Sequence, residues 1–143
     1  MTDPILYFSV KGTPVPKPRM SQRDRWQHRP AVARYREYVD EIRAGGVDAK
    51  RAAHLGDFFH LAGPLRVSMT FTSTETYLTV ARAELPYRRP PGLRFDLDNG
   101  VKAVLEALQP QHGILSASIL KDDNQVVALE AAFLDPDHMQ AVL

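Results

Sequence analysis

The chain has 143 residues, a formal net charge of +1 and no cysteine. Its length suits one domain with a single core, and the lack of cysteine excludes disulfides and thiolate metal sites. No apolar run approaches the roughly 18 residues that cross a bilayer, and Met1-Thr2-Asp3-Pro4 lacks the basic start and apolar stretch of a signal peptide, so a cytoplasmic protein without a membrane anchor is expected.

Ile5 to Val10 is apolar and aromatic and is closed by Gly12, the pattern of a short strand. Thr13 to Arg19 carries Pro14, Pro16 and Pro18 and must be extended, because proline fixes its own φ and restricts the residue before it. Pro30 suits the first position of a helix, with Val32, Tyr35, Val39 and Ile42 at helical spacing behind it. Gly45-Gly46 is expected to stop that helix, with a further short one over Asp48 to Leu55. Leu65 to Phe71 alternates as a strand, placing Leu65, Val67, Met69 and Phe71 on one face. Tyr77 to Leu85 begins apolar and β-branched, and Pro86 to Gly92 reads as a loop or edge. From Asn99 the period turns helical, with Val101, Val104, Leu105 and Leu108 on one stripe and Pro110 as the stop. Gln125 to Leu134 then reads as a strand between Asp122-Asp123-Asn124 and Pro136. The sum is an α+β chain, a single domain over residues 1–143, with a mixed sheet of about four strands and two main helices on one face.

Charge along the chain is segregated. Between Lys11 and Arg36 stand eight basic residues and one acid, Asp24. Arg82, Arg88, Arg89 and Arg94 form a second basic group, whereas residues 122–143 hold five acids and no Lys or Arg. Thirteen of the 18 basic residues are arginine, whose planar fork suits phosphate better than the point charge of lysine. Basic stretches beside an acidic pocket suit an enzyme that cleaves a polyanion; the plain alternative is a solvated charged face.

The acidic pocket itself would be built from Asp96-Leu97-Asp98-Asn99, Lys102 and Asp122-Asp123, all within 28 positions. Hard cations such as Mg²⁺ are held by one or two carboxylates together with substrate phosphate and water. A metal so held polarises a phosphoryl oxygen and acidifies water, which phosphodiester hydrolysis requires. Asp96 and Asp98, two apart, point the same way on extended backbone. Asp98 or Asn99 is also placed to cap the following helix, and Lys102 reaches the same site from the first turn. Each piece has an ordinary reading: an N-cap and a turn residue for the aspartates, a solvated lysine paired with Asp98 or Glu106, and a loop for Asp122-Asp123-Asn124. The combination, each acidic group at a junction of regular elements, is what points to a site.

Arg94-Phe95-Asp96-Leu97-Asp98-Asn99, then Lys102, an Ala- and Leu-rich helix, Gly113, and Asp122-Asp123-Asn124-Gln125-Val126-Val127 resembles the RusA-type Holliday junction resolvases. Val15-Pro16-Lys17-Pro18-Arg19-Met20 is similar to the proline- and basic-rich segment that follows the first strand in many members. The likeness runs from about Tyr7 to Phe133 and is most specific over residues 94–127. It implies a RusA-like fold and a homodimer that binds branched DNA. It also implies paired cuts at four-way junctions during recombination and repair, with Mg²⁺, or Mn²⁺ in its place. By motif position Asp96, Asp98 and Asp123 would be the catalytic metal ligands, Asp122 an adjacent acid and Lys102 the catalytic lysine. Two departures stand out: residues 109–121 form a longer connection than the family pattern, and Phe95 occupies a position where that pattern has arginine, leaving Arg94 as the nearest substitute.

Lys17, Arg19, Arg23, Arg25 and Arg94 are the candidate DNA-backbone contacts, since a proline-stiffened arm loses little entropy on docking. Trp26 is a candidate for stacking on a base, set against the ordinary use of a Trp packed on its own domain. His28, His54, His60, His112 and His138 show no metal-ligand spacing. The alternatives are a non-catalytic DNA-binding module and a nuclease that prefers flaps or other branched nucleic acid.

Overall fold

The computed structural model describes residues 3–19, 29–110 and 118–134. The elements are β1 (Leu6–Lys11), α1 (Pro30–Ala52), α2 (Phe58–Leu61), β2 (Leu65–Phe71), β3 (Glu75–Arg82) and α3 (Leu97–Leu108), followed by a single 3₁₀ turn at Asp123–Gln125. The chain is α+β and divides into two compact units, Met1–Ala83 and Glu84–Leu143.

The first unit holds a three-stranded antiparallel sheet in the order β1-β3-β2. Sequence pattern placed β1 and β2 within a residue of where they stand, and the irregular stretch after Tyr77 proves to be part of the central strand. Among the described residues the sheet is wholly antiparallel and has three strands, where a mixed sheet of about four was expected. The β2–β3 turn is tied by Thr72, whose hydroxyl accepts from the N–H groups of Thr74 and Glu75 at 3.2 and 2.9 Å. β1 ends at Gly12, whose φ of +120° needs a residue without Cβ, and Gly12 N–H donates to Thr74 O at 2.7 Å.

α1 opens at Pro30 as its sequence suggests but does not stop at Gly45-Gly46; it runs on to Ala52. These glycines are a contact surface. A Cβ on Gly45 would sit 3.3 Å from Val10 Cγ2, and one on Gly46 would sit 3.2 Å from Phe8 Cζ, so their absence lets the helix lie close on β1. The stop comes later. His54 adopts φ +56° and donates to Arg51 O, while Leu55 donates to Lys50 O, which together make the 5→2 and 6→1 bonds of a Schellman motif. The segment expected as a separate helix is thus the last turn of α1 and its cap.

Leu6, Val10 and Val32 form the buried apolar core, joined by Thr76 of β3, which is 1% exposed and hydrogen-bonded to the Tyr38 hydroxyl of α1. The register puts Leu65, Val67, Met69 and Phe71 on the same sheet face as Phe8, Leu78 and Val80. Yet that stripe is 41–58% exposed. α1 packs over β1, at the opposite edge from β2, so alternation correctly gave one face but not full burial. An open groove of about 490 Å³ lies beside Pro14, Pro16, Ile42 and Phe71.

Candidate functional site

All four aspartates and the lysine of the candidate site belong to the second unit, Glu84–Leu143. α3 begins at Leu97 because Asp96 is extended (φ −77°, ψ 150°) and its carbonyl accepts from Asn99 and Gly100 at 3.1 and 3.2 Å. The N-cap is therefore Asp96, not Asp98 or Asn99, and the exposed Asp96 carboxylate makes no capping hydrogen bond. Asp98 lies in the first turn, where helix polarity favours negative charge. Lys102 Nζ stands 3.7 Å from Asp98 Oδ2, and the two side chains are 75% and 70% exposed. A surface pair of this kind adds little stability, so Asp98 and Lys102 remain available to a ligand. Val101, Leu105 and Leu108 are half-buried and anchor the helix, while Val104 turns outward at 58% exposure.

The second acidic pair is organised by a capping box. Asn124 N–H donates to Asp122 Oδ1 at 2.8 Å, and Gln125 Oε1 accepts from the N–H groups of Lys121 and Asp122 at 2.7 and 3.4 Å. The Asn124 bond, aided by the neighbouring Asp123 carboxyl, holds Asp122 below the usual carboxylate range. Asp123 moves the other way: its carboxyl, when protonated, donates to Asp122, and partial desolvation and the charge of Asp122 add to the rise. Asp122 is thus occupied in the turn, and Asp123 is the member of the pair whose carboxyl is harder to ionise.

The structure brings Asp98 to Lys102 and Asp122 to Asp123. It does not draw the two pairs together: among the described residues no group of three or more His, Cys, Asp or Glu is placed to hold a metal ion. Two carboxylates are what Mg²⁺ commonly takes from a protein, and the hard oxygen donors present suit it in kind. Residues 126–133, expected as a strand, join no sheet among the described residues; Leu134 makes an isolated bridge to Tyr87, and Phe133 O accepts from Arg88 N–H at 3.1 Å. At the other end of this segment, Leu108 O accepts from Ile119 and Leu120 at 3.1 and 2.8 Å. The long connection therefore returns the chain to the C-terminal end of α3.

Sequence reasoning passed over a set of residues that the structure places beside Asp96. Arg89 Nη1 donates to Phe95 O, its guanidinium lies 4.6 Å from the Phe133 ring centroid, and the Phe95 and Phe133 rings are 5.7 Å apart. The departure at Phe95 was the available signal. The Asp122-x-x-Gln125 spacing was likewise readable as a capping box.

Of the candidate DNA contacts, Lys17, Arg19 and Arg94 are exposed. The arm is tied at its end, since Arg29 Nη2 donates to Arg19 O at 2.9 Å. Arg23, Arg25 and Trp26 lie outside the described residues, as do His28, His112 and His138. His60 pairs with Asp57 at 3.5 Å on the surface, a local helix contact. No helix among the described residues is long and apolar enough to cross a membrane. Compared with protein families, with curated proteins and with solved structures, the chain finds no match.

Proposed function

We propose that the chain is a Mg²⁺-dependent endodeoxyribonuclease for branched DNA, a RusA-like resolvase that works as a homodimer on four-way junctions in the cytoplasm. The observation that carries this reading is the first turn of α3, which presents Asp96, uncapped, with Asp98 and Lys102 in one exposed group. Asp96 and Asp98, with Asp123 and its neighbour Asp122, are the residues that would hold the metal. Bound there, Mg²⁺ supplies polarisation of a phosphoryl oxygen and acidification of water. Lys102 stabilises charge on the phosphate, and Lys17, Arg19, Arg23, Arg25 and Arg94 contact the DNA backbone.

The test compares Mg²⁺-dependent nicking of four-way, flap and linear DNA by the full chain and by Asp98→Asn. Preference for the four-way substrate, with cleavage abolished but junction binding retained in Asp98→Asn, supports the reading. Normal cleavage by the variant refutes the site. A second reading, a DNA-binding module without catalysis, is favoured by the separation of the two acidic pairs. It expects junction binding and no nicking with either Mg²⁺ or Mn²⁺.

A further inference from the structure

We infer that Arg89 and Gly100 are positioning residues for Asp96 and Asp98, acting through a clamp made of Phe95 and Phe133; the inference rests on the reading of those aspartates as the metal and phosphate site. Phe95 is the residue directly before the helix cap, so whatever fixes its backbone and ring also fixes the direction in which Asp96 leaves the helix. Three contacts do so. The Arg89 guanidinium donates to Phe95 O and, in the same pose, covers the face of Phe133 at 4.6 Å. Phe133 leans on the Phe95 ring at 5.7 Å and 57°. The Phe95 ring also lies close against Gly100.

Gly100 is there for space. A Cβ at this position would meet Phe95 Cε2 at 2.8 Å, Cδ2 at 3.4 Å and Cζ at 3.8 Å. The first distance is too short for any carbon contact, so a side chain at residue 100 must displace the Phe95 ring from its place against Phe133. Asp98 lies in that turn, and Asp96 O accepts from Gly100 N–H at 3.2 Å. Displacing the ring thus removes the packing that holds the residue before Asp96, the cap of the turn that carries Asp98. Arg89 cannot be replaced by lysine without loss, because one ammonium cannot reproduce a flat cation over a ring together with a directed N–H to a carbonyl.

The test uses the full chain, with Mg²⁺ alone as the probe in calorimetric titration and with thermal unfolding measured beside it. Gly100→Ala is expected to weaken Mg²⁺ binding about 10–100-fold, the range seen when groups that orient metal ligands are removed. Alanine is the better helix former, so lost affinity without a matching loss of Tm separates positioning from general damage. Leucine lacks the Cε2 and Cζ atoms that clash, so the penalty of Gly100→Ala should largely vanish in a Phe95→Leu background. Arg89→Gln should weaken Mg²⁺ binding and Arg89→Lys less so. An unchanged affinity in Gly100→Ala, or a penalty of equal size in both backgrounds, overturns the clamp while the site reading stands. The clamp is also read without metal, as nuclear Overhauser contacts between the Phe95 and Phe133 rings that Gly100→Ala and Arg89→Gln remove. If those contacts persist in both variants the clamp is overturned. If the wild-type chain shows them yet binds no Mg²⁺, the site reading fails and the positioning role fails with it.

Discussion

A hydrogen bond between Tyr38 and Thr76 joins α1 to the sheet, and Tyr38→Phe tests how much it contributes. Thr76 is 1% exposed near the start of the central strand β3, and its hydroxyl pairs with that of Tyr38, which is half-buried. The variant keeps the ring and its packing but leaves the Thr76 hydroxyl without this partner where water does not reach. Removing one partner of a buried pair costs about 1–3 kcal/mol, several times the effect of removing both. Thr76→Val should cost less, because the half-buried Tyr38 hydroxyl keeps a route to solvent. The double variant leaves nothing unpaired and should lie closer to wild type than the sum of the single changes, with a coupling of about 0.5–3 kcal/mol. Urea unfolding measures this, with the slope against denaturant unchanged across the set. A loss below about 0.5 kcal/mol for Tyr38→Phe, or strict additivity in the cycle, would refute the reasoning.

Three further outcomes follow from the same geometry. Gly45→Leu forces a large side chain into the space held open for Val10 and Phe8 and should cost about 1–3 kcal/mol, whereas Gly45→Ala should lie near wild type, its helix gain of about 1 kcal/mol offset by a 3.3 Å contact; chemical denaturation separates them. His54→Gly relieves the left-handed backbone at the end of α1 and should stabilise by about 1 kcal/mol, read as a rise in Tm. The Asp122–Asp123 pair should titrate in two steps on either side of the ordinary value of 3.8, seen in carboxyl carbon shifts. The stability Asp122 contributes is present above 3.8 and lost as pH falls through its lowered value; that of Asp123 is present below 3.8 and lost as pH rises through its raised value. Asp122→Asn should bring Asp123 back toward 3.8, and an Asp123 that does not move refutes the coupling.

The parts of the fold legible in the sequence were those written in local period. β2 was readable from strict alternation, α3 from its apolar stripe and Pro110, and the start of α1 from Pro30. The misreadings arise where a tertiary contact overrides a local rule. Gly45-Gly46 is a helix stop by propensity, yet close approach to Phe8 and Val10 makes it a packing surface. The actual stop is His54; positive φ is uncommon outside glycine, and although histidine is among the residues enriched there, one histidine is a weak signal. Gln125 to Leu134 has strand composition, but a strand exists only through a neighbour, and which neighbour is not written in the segment itself. At the site, the pairing of Asp98 with Lys102 could be read from spacing of four. The Arg89–Phe95–Phe133 group could not, because its members stand 44 positions apart at the extremes and meet only through folding.

The tether at Leu108 decides how the two acidic pairs relate. α3 has 12 residues and is therefore about 18 Å long, with Asp96 at one end and Leu108 at the other. Leu120 is hydrogen-bonded at the Leu108 end, and the three residues from there to Asp123 reach at most about 10 Å even when extended. The 3₁₀ turn that begins at Asp123 shortens the onward path, since each of its residues rises about 2.0 Å where a strand residue rises about 3.3 Å. Opening the turn lengthens the chain only beyond Asp123, by about 4 Å, and leaves the span from Leu120 to Asp123 as it was. The cost is the Asn124–Asp122 bond and the Gln125 contacts, each worth about 0.5–1.5 kcal/mol net. A ligand present at a thousand times its Kd supplies about 4.1 kcal/mol, enough to offset the loss of these bonds, so the distance along α3 and not the strength of the cap limits how the two pairs can meet. The catalytic reading therefore requires the residues from Leu120 to Asp123 to extend along α3 toward Asp98 when metal and DNA bind, whereas the binding-module reading leaves them where they stand.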